Sequence, residues 1–238
     1  MEFNKARLIS YSKMMDDNGI ELSILEQIAY CARVSNPSNQ NNHNSSERLC
    51  EYLYKNHHFS PFEMVNICIE IETTRDISRQ ILRHRSFSFQ EFSQRYAVAT
   101  DFITRECRLQ HPTNRQMSVD IVNSNSDSNS NSNSDSDSGN KDITKRFQEI
   151  QSELILKQQE YYQYCIQNNI AKEQARVILS EGLTKTKLYM NGTVRSWIHY
   201  LQLRCDKDTT QKEHCDIALK ILDEIEKVFP IKKMCYKK

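Results

Sequence analysis

Residues 65–85 read VNICIEIETTRDISRQILRHR, and the spacing of their apolar residues changes halfway along the stretch. From Val65 to Ile71 an apolar residue occupies every second position, as in a β-strand with one buried face. Beyond Thr74, which can cap a helix, the apolar residues return at the spacing of one helix face. The sequence therefore predicts a strand that is followed at once by a short helix.

The predicted helix ends at the triplet Arg83-His84-Arg85, and Ser93 and Arg95 follow in the next segment. A guanidinium group pairs with phosphate oxygens two at a time and keeps its charge at neutral pH. Aromatic side chains are interleaved with these arginines, which favours a partly buried site over a solvated basic surface. The segment therefore predicts a binding site for an anionic ligand.

The composition limits how such a ligand can be bound. The chain has 238 residues, 38% of them hydrophobic, and a net charge of +1. This length predicts one or at most two domains with a sizeable core, and the small net charge argues against a general affinity for nucleic acid. The chain has only four glycines and no glycine-rich phosphate motif. The phosphates of any nucleotide must therefore be held by side chains or by helix ends.

The eight cysteines are scattered along the chain and include no Cys-x-x-Cys pair. Because no signal peptide is recognisable either, we expect free thiols in a cytoplasmic, reducing compartment. The histidines lack the spacing of metal ligands, so no metal site is predicted. No apolar run approaches the length of a membrane span, so no membrane partner is expected.

The N-terminal half contains several further elements. A strand is predicted near residues 7–12, and the capping box that begins at Ser23 predicts a helix. Residues 36–46 are rich in Asn and Ser and are predicted to form a loop. A second helix is expected from about Glu47 to Lys55, and the segment from Arg95 to Val98 is predicted to return as a strand.

The C-terminal half begins with a low-complexity tract in which Ser alternates with Asn or Asp. Such a tract cannot bury enough apolar surface to offset the entropy of ordering, so we predict a disordered insertion at about 117–141. Apolar residues at spacings of three, four and seven then predict a long amphipathic helix from Ile143. Further helices are expected near 172–180, 191–204 and 208–228. The chain is therefore assigned to the α+β class, with a helix-rich C-terminal half.

The predicted helix 191–204 carries a second candidate constellation. Arg195 and His199 lie four residues apart and share one face. An ordinary amphipathic surface helix would show the same pattern, so spacing alone leaves both interpretations open. No cysteine lies in an activating motif, and the residues indicate anion binding more strongly than covalent catalysis.

These motifs, taken together and in this order, resemble those of the flavin-dependent thymidylate synthases. The resemblance covers nearly the whole chain outside the two Asn/Ser-rich segments and therefore implies a single domain. Its main motif is Arg83-His84-Arg85 followed after seven residues by Ser93. The supporting motifs are Ala-Arg33-Val-Ser35, His58-Phe-Ser60-Pro-Phe-Glu63, Ala-Arg176-Val-Ile-Leu and Arg195-(x)8-Arg204.

The resemblance implies a reaction and an assembly. The family converts dUMP to dTMP by reductive methylation, with methylene-tetrahydrofolate as carbon donor and FAD as a redox carrier that NADPH reduces; tetrahydrofolate is released. Its members have an α+β fold with a central antiparallel sheet packed with helices. They assemble as homotetramers whose active sites are shared between protomers. We therefore expect these features here.

The resemblance also assigns roles to individual residues. Arg204, aimed at the uracil edge, would be catalytic because its charge would stabilise negative charge on the ring. The residues expected to bind dUMP are Gln80, Arg83, Ser93, Gln94, Arg95, Arg176 and Arg204. The residues expected to bind FAD are Ser35, His58, Arg83, His84, Arg85, Glu91, Thr193, Arg195 and His199. Met64 and Ser180 depart from the family pattern, at positions without an assigned ligand contact.

Two alternatives start from other features of the chain. The arginines and aromatics of residues 75–95 could form an RNA-binding module that contacts phosphates and stacks bases. The near-neutral net charge and the lack of an RNA-recognition motif argue against that hypothesis. The Ser/Asn/Asp tract could be an interaction or phosphorylation segment, although a tolerated expansion of a surface loop accounts for it more simply.

Overall fold

The computed structural model describes residues 3–16, 18–121 and 134–235, with side chains from residue 139 onward in the last range. The chain divides into two compact units. The larger comprises Met1–Thr73, Ile77–Glu91 and Lys187–Lys238, and the smaller comprises Thr74–Asp76 and Phe92–Thr186. The assignment of the chain to one domain stays a prediction.

The described residues form eight strands and eight α-helices. The strands are β1 (Lys5–Tyr11), β2 (Met14–Met15), β3 (Glu21–Leu22), β4 (Asn66–Thr74), β5 (Ser88–Glu91), β6 (Arg108–Gln110), β7 (Ser118–Asp120) and β8 (Lys185–Thr193). The helices are α1 (Ile24–Ala32), α2 (Ser46–Lys55), α3 (Arg75–Ile81), α4 (Ser134–Gln167), α5 (Lys172–Ala175), α6 (Val194–Arg204), α7 (Lys212–Glu226) and α8 (Lys232–Cys235).

A four-stranded sheet with the order β1-β4-β8-β5 organises the larger unit. Strand β1 pairs antiparallel with β4, and β5 pairs antiparallel with β8, so that Ser88 lies opposite Asn191 and Glu91 opposite Leu188. The pairs β2-β3 and β6-β7 form separate two-stranded sheets. The predicted α+β class with an antiparallel sheet is confirmed.

The alternation in β4 has the predicted consequence for burial. Ile67, Ile69 and Ile71 point to one face of the strand and are fully buried. Burying each such side chain stabilises the fold by about 1.5–3 kcal/mol. The indole nitrogen of Trp197 donates to the carbonyl of Ile67 at 3.0 Å, which ties α6 to this strand.

The remaining core of the larger unit comes from helices that cover the sheet. Helices α6 and α7 turn their apolar faces inward, as their sequence period predicts. Their buried hydrophobic side chains are Val194, Trp197, Ile198, Tyr200, Leu201, Cys215, Ile217, Ala218, Ile221, Leu222 and Ile225.

The predicted capping box of α1 is present. The Ser23 hydroxyl accepts from the backbone N–H of Glu26 at 3.3 Å, and the Glu26 carboxylate accepts from the backbone N–H of Ser23 at 2.8 Å. At the other end of α1, the buried guanidinium of Arg33 donates to the Asn42 carbonyl at 2.7 Å and to the Ser45 hydroxyl at 2.8 Å. Arg33 therefore anchors the predicted loop 36–46, which contains two short 3₁₀ turns.

Strand β8 was not predicted, and the helix expected at 191–204 begins instead at Val194. Residues 185–193 form a central strand of the sheet. The buried positions of this strand are Thr186, Leu188, Met190 and Gly192. Two of these four are not apolar, so the alternation was too weak to mark a strand.

The predicted strand from Arg95 to Val98 is wrong. In this segment the backbone N–H groups of Tyr96 and Ala97 both donate to the Ser93 carbonyl at 3.1 Å, which makes a turn. The strand lies earlier, as β5. Its pairing partner β8 lies far along the chain, and without that partner its position could not be deduced.

Several predicted boundaries also need correction. Helix α5 ends at Ala175 and continues only as a 3₁₀ turn, Arg176–Ile178, because Leu179 has an extended backbone. Helix α7 begins at Lys212, four residues later than the position 208 that was predicted.

The insertion predicted to be disordered at about 117–141 overlaps two elements, β7 and the first turns of α4. Its predicted boundaries are therefore too wide at both ends, and its middle, residues 122–133, lies outside the described residues. The long amphipathic helix expected beyond it is confirmed as α4. No helix in the described ranges is long and apolar enough to cross a membrane.

Candidate active site

The Arg83-His84-Arg85 triplet forms a turn directly after α3. The backbone N–H of Arg83 donates to the Gln80 carbonyl at 3.4 Å, and that of His84 donates to the Ile81 carbonyl at 3.0 Å. Arg83 and Arg85 are exposed, whereas His84 is partly buried. The turn thus presents two guanidinium groups outward and one imidazole inward.

The inward-facing His84 contacts Arg204, the last residue of α6. Arg204 Nε donates to His84 Nε2 at 3.0 Å, so this ring nitrogen carries no proton. The His84 ring meets the ring of Tyr200 edge-on, with centroids 4.9 Å apart. Burial, Arg204 and His199 lower the pKa of His84 to about 4, and the imidazole is therefore neutral at physiological pH.

Gln80, on α3, is held by two side chains from the start of α7. Its Oε1 accepts from His214 Nδ1 at 3.1 Å, and its Nε2 donates to Gln211 Oε1 at 2.7 Å. His214 is fully buried, and desolvation lowers its pKa to about 3. The sequence analysis assigned no role to His214 or Gln211, because no local pattern links them to the Arg-His-Arg turn.

The N-terminus of α6 carries two residues assigned to FAD. Thr193 caps the helix, since its hydroxyl accepts from the backbone N–H of Ser196 at 3.2 Å. The guanidinium of Arg195 is ion-paired with the carboxylate of Glu63 and lies 5.7 Å from the ring centre of Phe59. The ion pair joins α6 to the 3₁₀ turn Ser60–Glu63.

Glu91, at the end of β5, is paired within the larger unit. Its Oε1 accepts from the Ser78 hydroxyl at 2.8 Å, and its Oε2 lies 3.3 Å from the Arg79 guanidinium. The three remaining residues assigned to FAD, namely Ser35, His58 and His199, are exposed. Because they are exposed, these three side chains are accessible to a ligand from solvent.

Four residues assigned to dUMP lie in the smaller unit. Arg95 forms an ion pair with the Glu173 carboxylate at 3.3 Å, and Arg176 Nε donates to the Glu173 carbonyl at 3.4 Å. The Ser93 hydroxyl accepts from the backbone N–H of Arg95 at 3.3 Å. Gln94 is only 4% exposed, and its Nε2 has no hydrogen-bond partner among the described residues.

The structure therefore brings only part of the predicted residues together, as two groups, one in each unit. In the larger unit Arg204 is hydrogen-bonded to His84, and Arg83 and Arg85 lie on the same turn as His84, directly after the helix that carries Gln80. Arg95 and Arg176 meet at Glu173 in the smaller unit. Within the described ranges, no cluster of three or more His, Cys, Asp or Glu side chains could hold a metal ion.

Comparison with known proteins identifies relatives of the whole chain. The family model of the thymidylate synthase complementing protein, Thy1, matches residues 22–231. The chain is 46% identical over 213 residues to the flavin-dependent thymidylate synthase of Synechocystis sp., which covers 90% of this chain and 89% of that protein. It is 39% identical over 226 residues to the probable flavin-dependent thymidylate synthase of Paramecium bursaria Chlorella virus 1. That match covers 94% of this chain and 95% of the viral protein.

Solved structures share the fold. The UMP/dUMP methylase PolB from Streptomyces cacaoi bound with 5-Br UMP matches with a TM-score of 0.74 at 22% identity, covering 96% of this chain and 91% of that chain. The same protein bound with 5-Br dUMP matches with a TM-score of 0.69 at 24% identity, covering 96% of this chain and 92% of that chain. At this level of identity, the likeness concerns the arrangement of helices and strands.

Proposed function

This chain belongs to the flavin-dependent thymidylate synthase family, and we propose that it is a methyltransferase that converts dUMP to dTMP. Methylene-tetrahydrofolate donates the carbon, NADPH supplies the reducing equivalents through FAD, and tetrahydrofolate is released. The observation that carries the proposal is the 46% identity to the Synechocystis enzyme across 90% of this chain. The geometry of the two groups of residues supports it.

Arg204 would be the residue that acts on the pyrimidine. Its Nε is committed to the neutral His84, which orients the guanidinium but does not cancel its charge. The other guanidinium N–H groups remain able to donate to a uracil oxygen. A fixed positive charge in a site that excludes water would stabilise negative charge that develops on the ring.

The smaller unit supplies groups suited to the nucleotide phosphate. The Arg95 and Arg176 guanidinium groups both lie at Glu173, and two such groups can fork onto one phosphate. A phosphate would replace the Glu173 carboxylate as the partner of Arg95. The buried amide of Gln94, unsatisfied among the described residues, is costly unless a ligand accepts its hydrogen bond.

The residues assigned to FAD fit the chemistry of that group. Arg83, Arg85 and His58 are exposed, and the two guanidinium groups are of the kind that meets a pyrophosphate or stacks on a flat ring. His84 is a neutral hydrogen-bonding group on the same turn as Arg83 and Arg85. When bound, FAD would supply the redox chemistry between NADPH and the transferred carbon. The residues of this chain would bind and orient the reactants.

A homotetramer with shared active sites is part of the proposal. One face of α4 carries an exposed apolar stripe, which we call the α4 stripe: Ile143, Phe147, Ile150, Leu154 and Tyr161. Its spacing of three and four residues is that of helices that pack against other helices. A cytoplasmic location also belongs to the proposal, and all eight cysteines are free thiols.

The test is an assay of the purified full-length chain. After reconstitution with FAD, it should form dTMP from dUMP only when NADPH and methylene-tetrahydrofolate are both present, as measured by chromatography. Arg204→Ala should lower turnover by about 100-fold or more, the usual effect of removing a charge-stabilising donor. The matched control is Arg146→Ala, which removes an exposed arginine of α4 that pairs with Glu149.

The possible outcomes test the proposed function and the role of Arg204 separately. A protein that neither binds FAD nor forms dTMP would contradict the proposed function. Wild-type turnover in the Arg204→Ala variant would remove Arg204 from the mechanism and leave the function standing.

A further inference from the structure

A directed chain of hydrogen bonds runs from the buried core to Gln80. The Tyr200 hydroxyl lies 3.0 Å from His214 Nε2, and His214 Nδ1 lies 3.1 Å from Gln80 Oε1. Gln80 Nε2 then donates to Gln211 Oε1 at 2.7 Å, and Gln211 Nε2 donates to a Glu213 carboxylate oxygen at 2.9 Å. All five side chains lie in the larger unit.

The direction of each bond follows from the groups involved. Gln80 Oε1 can only accept, so His214 carries its proton on Nδ1. His214 Nε2 then accepts, and the Tyr200 hydroxyl must donate to it. Tyr200 and His214 are both fully buried, and a buried polar pair that leaves no group unsatisfied has little freedom to rearrange.

We propose that His214 is a positioning residue, whose Nδ1–H holds the side-chain amide of Gln80 in the orientation that binds the pyrimidine nucleotide. This inference rests on the proposed function, in which Gln80 contacts dUMP. An amide that turns by half a revolution exchanges its donor for its acceptor. A substrate atom that needs the amide N–H as donor would then face the amide oxygen, and the reverse.

Neighbouring side chains hold both ends of the Gln80 amide group. Gln211 accepts one Nε2 hydrogen of Gln80, and His214 donates to Oε1, so both ends of the amide are fixed. One N–H and one oxygen lone pair of Gln80 remain for the nucleotide. His214 itself is fully buried and acts on the substrate only through Gln80.

Two substitutions separate the two ends of the imidazole. The amide nitrogen of an asparagine can take the place of Nδ1, so His214→Asn keeps a donor toward Gln80 and gives up the contact with Tyr200. The amide oxygen of a glutamine can take the place of Nε2, so His214→Gln keeps an acceptor for Tyr200 and gives up the donor toward Gln80. Both variants remove the ionisable ring, and both leave a polar side chain in the cavity.

The measurement is the affinity of the FAD-loaded, full-length protein for dUMP by isothermal titration calorimetry. His214→Gln should bind dUMP about fivefold more weakly than His214→Asn, the effect of one misplaced hydrogen bond of roughly 1 kcal/mol. In a Gln80→Ala background the two variants should bind dUMP equally, because the amide that His214 positions is gone. The control His111→Gln changes a partly exposed histidine of the smaller unit and should match the wild type in its affinity for dUMP.

A second variant keeps the test decisive if either His214 variant fails to fold. Gln211→Ala removes the other partner of Gln80 from a partly exposed position. It should weaken dUMP binding when Gln80 is present and leave the binding unchanged when Gln80 is already replaced by alanine. Additive effects of Gln211→Ala and Gln80→Ala would overturn the inference, as would equal affinities of His214→Asn and His214→Gln.

The failure of this inference is distinguishable from failure of the proposed function. Wild-type protein that loads FAD and binds no dUMP would contradict the function itself. Wild-type protein that binds dUMP, with the variants behaving alike, would contradict only the role of His214.

Discussion

At the scale of single residues, the contact between Arg204 and His84 depends on the charge state of the imidazole. Arg204 Nε donates to His84 Nε2, and a protonated imidazole has no lone pair to accept that bond. His214 is subject to the same condition, because its Nε2 accepts from Tyr200. The pKa of His84 is lowered to about 4 and that of His214 to about 3, chiefly by burial. Acid should therefore break both contacts and also weaken the fold.

The sign of this pH dependence follows from proton linkage. Both histidines have pKa values below the ordinary value of 6.5 in the folded state, so the unfolded chain binds more protons as the pH falls below about 6.5. The free energy of unfolding should therefore decrease through this range, down to the folded pKa values. Each proton contributes a slope of about 1.4 kcal/mol per pH unit.

His214→Asn should remove one of the two groups that bind a proton when the chain unfolds in this pH range. We expect its free energy of unfolding, measured with urea between about pH 6 and pH 5, to fall less steeply than that of the wild type. The groups that face His214 are His84, Arg204 and Tyr200. Because the substitution leaves all three in place, identical slopes for variant and wild type would contradict the prediction.

Gly192 lies where the β8 backbone approaches an aromatic ring closely. A Cβ atom built at this position would clash with the ring of Phe87. That ring cannot easily retreat, because it packs against the Trp197 ring with centroids 4.7 Å apart. Gly192→Ala should lower the free energy of unfolding by about 1–3 kcal/mol, the usual cost of overpacking a core.

The matched control for that substitution is Gly182→Ala, since a Cβ at Gly182 meets nothing within 4 Å. Thermal unfolding of both variants by calorimetry compares them directly. Equal melting temperatures for the two alanine variants would show that Phe87 yields without cost.

At the scale of elements, the end of α1 and the following loop are joined through one buried side chain. Arg33 donates to the carbonyl of Asn42 and to the hydroxyl of Ser45. Arg33→Met keeps much of the apolar stem but removes both bonds. We expect faster amide hydrogen exchange within residues 36–46 and little change in β4, because a loop without its anchor opens locally.

The control for this experiment is Arg48→Met, which changes an exposed arginine in α2. Its exchange pattern should match the wild type. Unchanged exchange of the loop in Arg33→Met would contradict the anchoring role.

The elements also show which parts of the fold a sequence pattern can report. Strand β4 was predictable because Ile67, Ile69 and Ile71 record the burial of one face in their spacing. Strand β8 was not, since Thr186 and Gly192 are buried there without being apolar. Strand β5 depends on pairing with β8. Its position is therefore set by residues about a hundred positions away, which no local pattern records.

The sequence predicted one part of the candidate site and carried no signal for another. Motif order predicted Arg83, His84 and Arg204, and the structure connects His84 with Arg204. The partners that hold Gln80 come from the start of α7, where His214 and Gln211 lie in an ordinary amphipathic helix and the residue before it. Their importance arises from three-dimensional contact, and a single sequence carries no signal for it.

At the scale of the whole molecule, the α4 stripe is the feature that bears on assembly. The double substitution Phe147→Glu and Leu154→Glu places two charges in the stripe, and desolvating them at a helix–helix contact would be costly. We expect light scattering to show a smaller oligomer. Turnover should fall with it if the active sites are shared between protomers.

Leu156→Glu is the control for this prediction, because Leu156 is also exposed on α4 but lies away from the stripe. It should keep the mass and the turnover of the wild type. A double variant that retains the wild-type mass would show that the α4 stripe is not the contact between protomers.

The chain has one tryptophan, and its position gives the protein an internal optical probe. Trp197 is fully buried, is bonded to β4 through its indole nitrogen and touches the Phe87 ring. All indole emission therefore originates from one place, where α6 packs on β4 and on Phe87, which follows the Arg-His-Arg turn by two residues. A flavin that docks near that turn would accept the excitation energy of the indole by resonance energy transfer. Quenching of the intrinsic fluorescence would then report loading of the cofactor without any added label.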